Sequence, residues 1–149
     1  MPETQVGRVL AIALKPGPRE PMKSVQRATA IEGGGLEGDI GDGAKSCIHL
    51  LASRHWQETV RSLGTVLLWQ TSFANVLVEA DTLANLVGKT VRLGGATLQV
   101  TSVAHPHPGL DEIRPGLCQI LRDSGRAGVL GHAVRGGLFS VGDALISQA

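Results

Sequence analysis

The segment TVRLGGATLQVTSV, residues 90–103, decides the fold. It reads as two strands joined at Gly94-Gly95, because a two-residue hairpin loop needs positive φ and glycine supplies it without steric cost. Directly after it comes AHPHPGLDEI, residues 104–113. Pro106 and Pro108 exclude a helix there, since each lacks a backbone donor and pushes its predecessor towards extended geometry. In an extended chain, side chains two apart share a face, so His105 and His107 are expected to look the same way from a stiff segment at a strand end.

The rest of the chain has the same character. VGRVLAIAL (6–14), SVQRATAI (24–31), CIHLL (47–51) and NVLVEA (75–80) read as strands, and 128–146 as a second hairpin about Gly136-Gly137. A helix is expected after residue 51, with Ser53 as its cap and Trp56, Val60 and Leu63 on one face. A short helix at 81–88 would be capped by Asp81 and stopped by Gly88, and 116–123 reads as another helical turn or two. No repeat or linker divides the 149 residues, which predicts one domain over 1–149. The fold class is mostly β with a few short helices. Many short strands with glycine turns point to a closed barrel, since closure removes sheet edges.

Composition narrows the function. Hydrophobic residues make up 42% and charged residues 18%, and the net charge is +1 with no basic cluster, so no footprint for nucleic acid or a membrane surface is present. The four aromatics (Trp56, Trp69, Phe73, Phe139) are too few for a base-stacking platform. Cys47 and Cys118 form neither a CxxC nor a disulfide framework, which fits a reducing compartment such as the cytoplasm. The apolar run VLAIAL is too short for a signal peptide or a spanning helix. GDIGDGAKS (38–46) is not a phosphate loop: Ala44 separates the last glycine from Lys45-Ser46, and Asp39 and Asp42 would repel a phosphate.

The order GGGLEGD (33–39), FANVLVE (73–79), LVGKTVRLGGATLQVTSV (86–103) and VRGGLFSVGDAL (134–145) resembles the MOSC domain, named for the C-terminal domain of molybdenum cofactor sulfurase. Each motif is weak alone; their order and spacing cover essentially the whole chain. The resemblance implies a closed β-barrel with a pocket reached from one end. It also implies binding of molybdenum cofactor or carriage of sulfur, with a pyridoxal-phosphate-dependent sulfurtransferase as partner.

Two departures from the family pattern stand out. Where the family strand ends in a cysteine, this chain has His107, with His105 two residues earlier. A thiolate can hold sulfane sulfur or molybdenum, whereas imidazole forms no persulfide and serves instead as a metal ligand or a general acid or base. Two residues before Asn75, where the family often has an anion-binding arginine, stands Phe73. The candidate catalytic residue is His107, and the candidate cofactor-binding residues are Asn75, His105 and His107; no metal ligand set is complete.

Each candidate also has a plain structural role open to it. His105 and His107 can be turn residues, Asn75 can close a turn, and Asp111 and Glu112 can start a helix or serve a histidine. His49 and His132 read as core or pocket-wall residues, and His55 as solvated on its helix. Cys118, within GLCQIL, reads as a buried structural thiol or a displaced reactive one, and Cys47 as packed inside or lining the barrel. Asp39 and Asp143 fit loop-organising roles. Two functions follow: a sulfur- or molybdenum-handling protein using His107 or Cys118, or a non-catalytic module whose pocket takes a small anion or cofactor fragment.

Overall fold

The structure is a computed structural model that describes residues 3–40, 47–106, 110–123 and 126–148. Its strands are β1 (Glu3–Leu14), β2 (Lys23–Val25), β3 (Arg27–Ala30), β4 (Ile48–Ala52), β5 (Val76–Glu79), β6 (Thr90–Leu93), β7 (Ala96–Val103), β8 (Val129–Arg135), β9 (Gly137–Ser140) and β10 (Ala144–Gln148). Its α-helices are α1 (Ser53–Leu63), α2 (Leu110–Ile113) and α3 (Leu117–Asp123). Single 3-10 turns occupy Trp69–Ser72 and Ala84–Leu86.

Seven strands close into a barrel in the order β10-β6-β7-β8-β4-β5-β1, with β1 pairing back onto β10. The 90–103 hairpin forms as expected: β6 and β7 pair antiparallel, with Leu93 opposite Ala96 and Gly94 at φ +56°. β4 and β5 are the parallel pair, joined by a crossover that carries α1. Long β1 bends around the barrel, with register shifts at Gln5/Gly7 and at Val9/Ala11, as β-bulges produce.

Alternation along the strands separates two apolar layers. Ile48, Leu50 and Ala52 of β4 point into the barrel with Val76, Val78, Leu98, Val100, Val129 and Phe139. Leu51, one residue out of phase, belongs with Trp56, Ala74, Leu110, Leu117, Cys118 and Leu121 in a second cluster under the helices. The barrel is thus filled by side chains, as a small barrel must be. The space left for a ligand is bordered at one end of the barrel, by Lys15 after β1, Phe73 before β5, His105 after β7 and Ala127 before β8.

Several elements differ from the sequence reading. The expected strand 24–31 is broken at Gln26, because β2 pairs with β1 while β3 pairs with β9. The expected hairpin at 128–146 does not form: β8 pairs with β7 and β4, β9 crosses to β3, and β10 returns to the barrel. Gly137 serves close packing there, since a Cβ would sit 2.1 Å from the Gly95 carbonyl oxygen. Ser53 is the first helical residue and Ala52 occupies the cap position without a side-chain bond, although Trp56, Val60 and Leu63 do face the second cluster. Residues 81–88 hold only a 3-10 turn. Thr82 Oγ1 accepts from the Ala84 N–H, and Asp81 pairs with Arg54 instead of capping. Among the described residues, no helix is long and apolar enough to cross a membrane.

Candidate functional site

The parity that sends Leu51 outwards sends His49 outwards too. His49 faces Leu130 across the β4–β8 ladder, and Leu130 belongs to the layer under the helices. Between this stretch of barrel wall and the α2–α3 segment lies a cavity of about 700 Å³. Pro106, Leu110, Ile113, Leu121 and Ala127 give it apolar walls, while Lys15, His49, Ser72, His105 and Glu112 bring polar groups and Phe73 an aromatic face. An apolar enclosure with a few convergent polar groups is the usual form of a small-molecule site.

Phe73 is held by the turn before it. Its N–H donates to the Gln70 carbonyl at 3.0 Å, the Ser72 hydroxyl donates to the Trp69 carbonyl at 2.7 Å, and the Ala74 N–H donates back to Ser72 Oγ at 3.2 Å. The result is a left-handed backbone at φ +66°, the one non-glycine residue so held among those described. Such a conformation costs a side-chain-bearing residue roughly 1 kcal/mol or more, so the ring is presented at a standing energetic cost. Above it lies Lys15 Nζ, 5.4 Å from the ring centroid, within cation–π range. Lys15 Nζ also donates to the Glu20 carbonyl at 2.9 Å, which leaves two ammonium hydrogens for a ligand. The arginine expected before Asn75 is absent, and a lysine from the end of β1 brings positive charge to the same place.

Asn75 is buried and fully engaged. Its Oδ1 accepts from the His49 N–H at 3.0 Å, and its Nδ2 donates to the Ala13 carbonyl and to Asp39 Oδ1, each at 3.3 Å. Its backbone N–H donates to the His49 carbonyl at 2.8 Å, and its carbonyl accepts from Ala13 N–H at 2.7 Å. Asn75 therefore stands one hydrogen bond behind the lining residue His49 and fastens β1 to β4. Asp39 completes the fastening by accepting from the Lys15 N–H at 2.7 Å, so the Gly38-Asp39 pair organises the loop that carries Lys15. Gly33 and Gly38 have φ of +81° and +84°, as the GGGLEGD stretch requires.

His105 is exposed and lines the cavity mouth. His107 lies outside the described residues, as does most of 38–46, so the shared face expected for the two imidazoles is not described. Glu112 lines the same cavity, whereas the Asp111 carboxylate accepts from the Cys118 N–H at 3.0 Å. Among the described residues, no group of three or more His, Cys, Asp or Glu side chains is placed to hold a metal ion.

The two cysteines differ. Cys118 is buried as expected; its Sγ receives Arg122 Nη2 at 3.3 Å and lies 3.8 Å from the carbonyl oxygen of the lining residue Pro106, behind the cavity wall. Cys47 is exposed rather than packed inside. His55 is half-buried rather than solvated, with Nδ1 enclosed and unpartnered among the described residues. Asp143 holds its turn as expected, accepting from the Ser140 N–H at 2.8 Å.

His49, read from the sequence as a core or pocket-wall residue, does line the cavity, and its role there was not foreseen. Its Nε2 donates to the Ala127 carbonyl at 2.5 Å. Burial pushes the imidazole below its ordinary pKa, and the bond to Ala127 opposes this only in part. The signal was available: a histidine within an otherwise apolar strand, CIHLL. What was missing was the strand's parity relative to a helical layer.

A second concavity of about 710 Å³ lies along α1, lined by Arg54, Glu58, Arg61, Glu79 and Asp81 among others. Part of its charge is paired: Arg54 reaches Asp81 at 3.1 Å and Glu58 at 3.5 Å, and Glu58 also meets Arg126, from outside the lining, at 3.8 Å. It is a solvated charged face.

No family model matches the chain, and no curated protein matches it in sequence. Solved structures do match. The YuaD protein of Bacillus subtilis superposes with a TM-score of 0.83 at 16% identity, over 99% of this chain and 98% of that one. YiiM from Escherichia coli gives 0.73 at 19% identity, over 95% of this chain and 70% of that one. YiiM from Geobacillus stearothermophilus gives 0.70 at 17%, over 99% and 76%. At identities this low the matches establish the backbone and not the chemistry, and they are to MOSC-fold proteins: the chain has a MOSC-like fold.

Proposed function

We propose that the domain is a binding module for a small planar anion, seated in the cavity between the outer barrel wall and α2–α3. A pterin phosphate, the ligand implied by the resemblance, falls within that class. The observation that carries the proposal is the ammonium of Lys15 over the Phe73 ring at the edge of an apolar cavity. A flat ligand stacks on the ring and places its negative charge on the ammonium, and the apolar walls exclude water from that contact.

The donor set does not fit the sulfur side of the resemblance. Among the described residues no thiol lines the cavity, and the Cys118 sulfur is engaged by Arg122. We accordingly assign binding to this cavity, without thiolate ligation of molybdenum by its described lining. Calorimetric titration of benzoate, sulfate and molybdate into wild type and Lys15→Met tests this. Benzoate should bind more tightly than either inorganic anion and lose about tenfold in Lys15→Met, the weight of a partly desolvated charge contact. Inorganic anions binding as well as benzoate, or affinity indifferent to Lys15, would overturn it.

A further inference from the structure

Resting on that pocket, we propose that His49 determines specificity within it: the imidazole is a fixed hydrogen-bond acceptor that selects ligands carrying an N–H or O–H donor. Three observations build the assignment.

First, the ring cannot choose its tautomer. A carbonyl oxygen only accepts, so the Nε2 atom facing the Ala127 carbonyl must carry the hydrogen, and in the neutral ring Nδ1 is then a lone pair. Enclosure between the barrel wall and the helical layer favours that neutral form.

Second, both sides of this contact are pinned. The His49 N–H and carbonyl are both taken by Asn75, at 3.0 and 2.8 Å. Opposite, Gly128 has φ +93°, and a Cβ there would stand 2.1 Å from the Leu50 carbonyl oxygen and 3.2 Å from His49 Nε2. Only glycine lets the Ala127–Gly128 turn approach β4 closely enough for the carbonyl to meet the ring. The Gly128 carbonyl is itself held by the Ala104 N–H at 2.8 Å.

Third, Nδ1 has no partner among the described residues, although the ring lines the cavity. An acceptor left unmatched against a ligand inside an apolar enclosure costs binding energy, so a ligand with a donor at that place is favoured over its isostere without one. The other titratable groups on the lining, among the described residues, are Lys15, His105 and Glu112. Lys15 holds the anionic end; His105 and Glu112 are exposed and offer no enclosed, orientation-fixed acceptor.

The test compares 4-hydroxybenzoate with 4-fluorobenzoate, which share size, planarity and charge but differ in the donor. In protein with 15N-labelled histidine, His49 should show the neutral form with hydrogen on Nε2. Adding 4-hydroxybenzoate should shift the Nδ1 resonance, with affinity about tenfold above that of 4-fluorobenzoate; 4-fluorobenzoate should bind and leave Nδ1 unmoved. In His49→Phe the preference should vanish while both probes still bind. Equal binding of the two probes to wild type with Nδ1 unmoved, or a hydrogen on Nδ1 in the free protein, overturns the assignment and leaves the pocket reading standing. If neither probe binds, both fall together.

Discussion

The Lys15 ammonium stands 5.4 Å from the centre of the Phe73 ring, and Phe73 is held with its backbone in the left-handed region at φ +66°. A non-glycine residue kept in that conformation beside a cavity is a place where fold and function pull apart. Phe73→Gly relieves the backbone, so stability should hold or rise by up to about 1 kcal/mol in urea unfolding. Benzoate affinity should fall about tenfold with loss of the ring. A variant that is destabilised yet binds normally would show that Phe73 serves the turn alone.

Asn75 makes the opposite case. Removing its amide leaves the His49 N–H and the Ala13 carbonyl without partners in a buried place, and each orphaned group costs roughly 1–3 kcal/mol. Asn75→Ala should therefore lower stability by about 3 kcal/mol, read from the urea midpoint at unchanged slope. It should also weaken binding indirectly, through the position of His49. A loss below about 1 kcal/mol would mean that water satisfies both groups and that Asn75 is no anchor.

The buried imidazoles predict the acid side of the stability profile. His49 is depressed below its ordinary value by desolvation, against the opposing Ala127 bond, and His55 is depressed too, chiefly by desolvation. A group depressed on folding binds protons more readily in the unfolded chain. Its contribution to stability is full above the unfolded value of about 6.5 and declines as pH falls below it. Thermal midpoints should drop between pH 7.5 and pH 5.5, and His49→Phe should flatten part of that slope. An identical slope in the variant would assign the effect elsewhere.

Among the described residues Glu112 is the one carboxylate on the cavity lining, and it is exposed at its rim. It opposes an anion, with a weight reduced by solvent screening. Glu112→Gln should raise benzoate affinity about twofold to threefold at low salt, and the gain should fade as salt is added. A loss of affinity would mean that the carboxylate contacts the ligand directly.

Much of the fold could be read from local pattern. The Gly94-Gly95 hairpin, the apolar face of α1 and the strands at 47–51 and 75–80 are set by periodicity and turn chemistry within a few residues, and those survive in the structure. The failures are non-local. Gly136-Gly137 carries the same local signal as Gly94-Gly95, yet β9 leaves to pair with β3, more than one hundred positions away in the chain. For the site, the proline-stiffened stretch at 104–108 did lead to a cavity wall, through His105 and Pro106. Lys15 and His49 were invisible as a pair because nothing in KPGPREP or CIHLL signals that the two segments meet. Asn75 brings them together, bonding to His49 directly and to Lys15 through the Asp39 carboxylate.

The planar-anion site is tested most directly by intermolecular nuclear Overhauser effects between benzoate ring protons and the labelled protein. Contacts should appear to the Phe73 ring and the Lys15 methylenes, with further contacts to Leu110, Leu121 or Ala127 in the apolar wall. Contacts confined to the α1 cleft of Arg54, Arg61 and Asp81, or none to Phe73 at saturating benzoate, would contradict it.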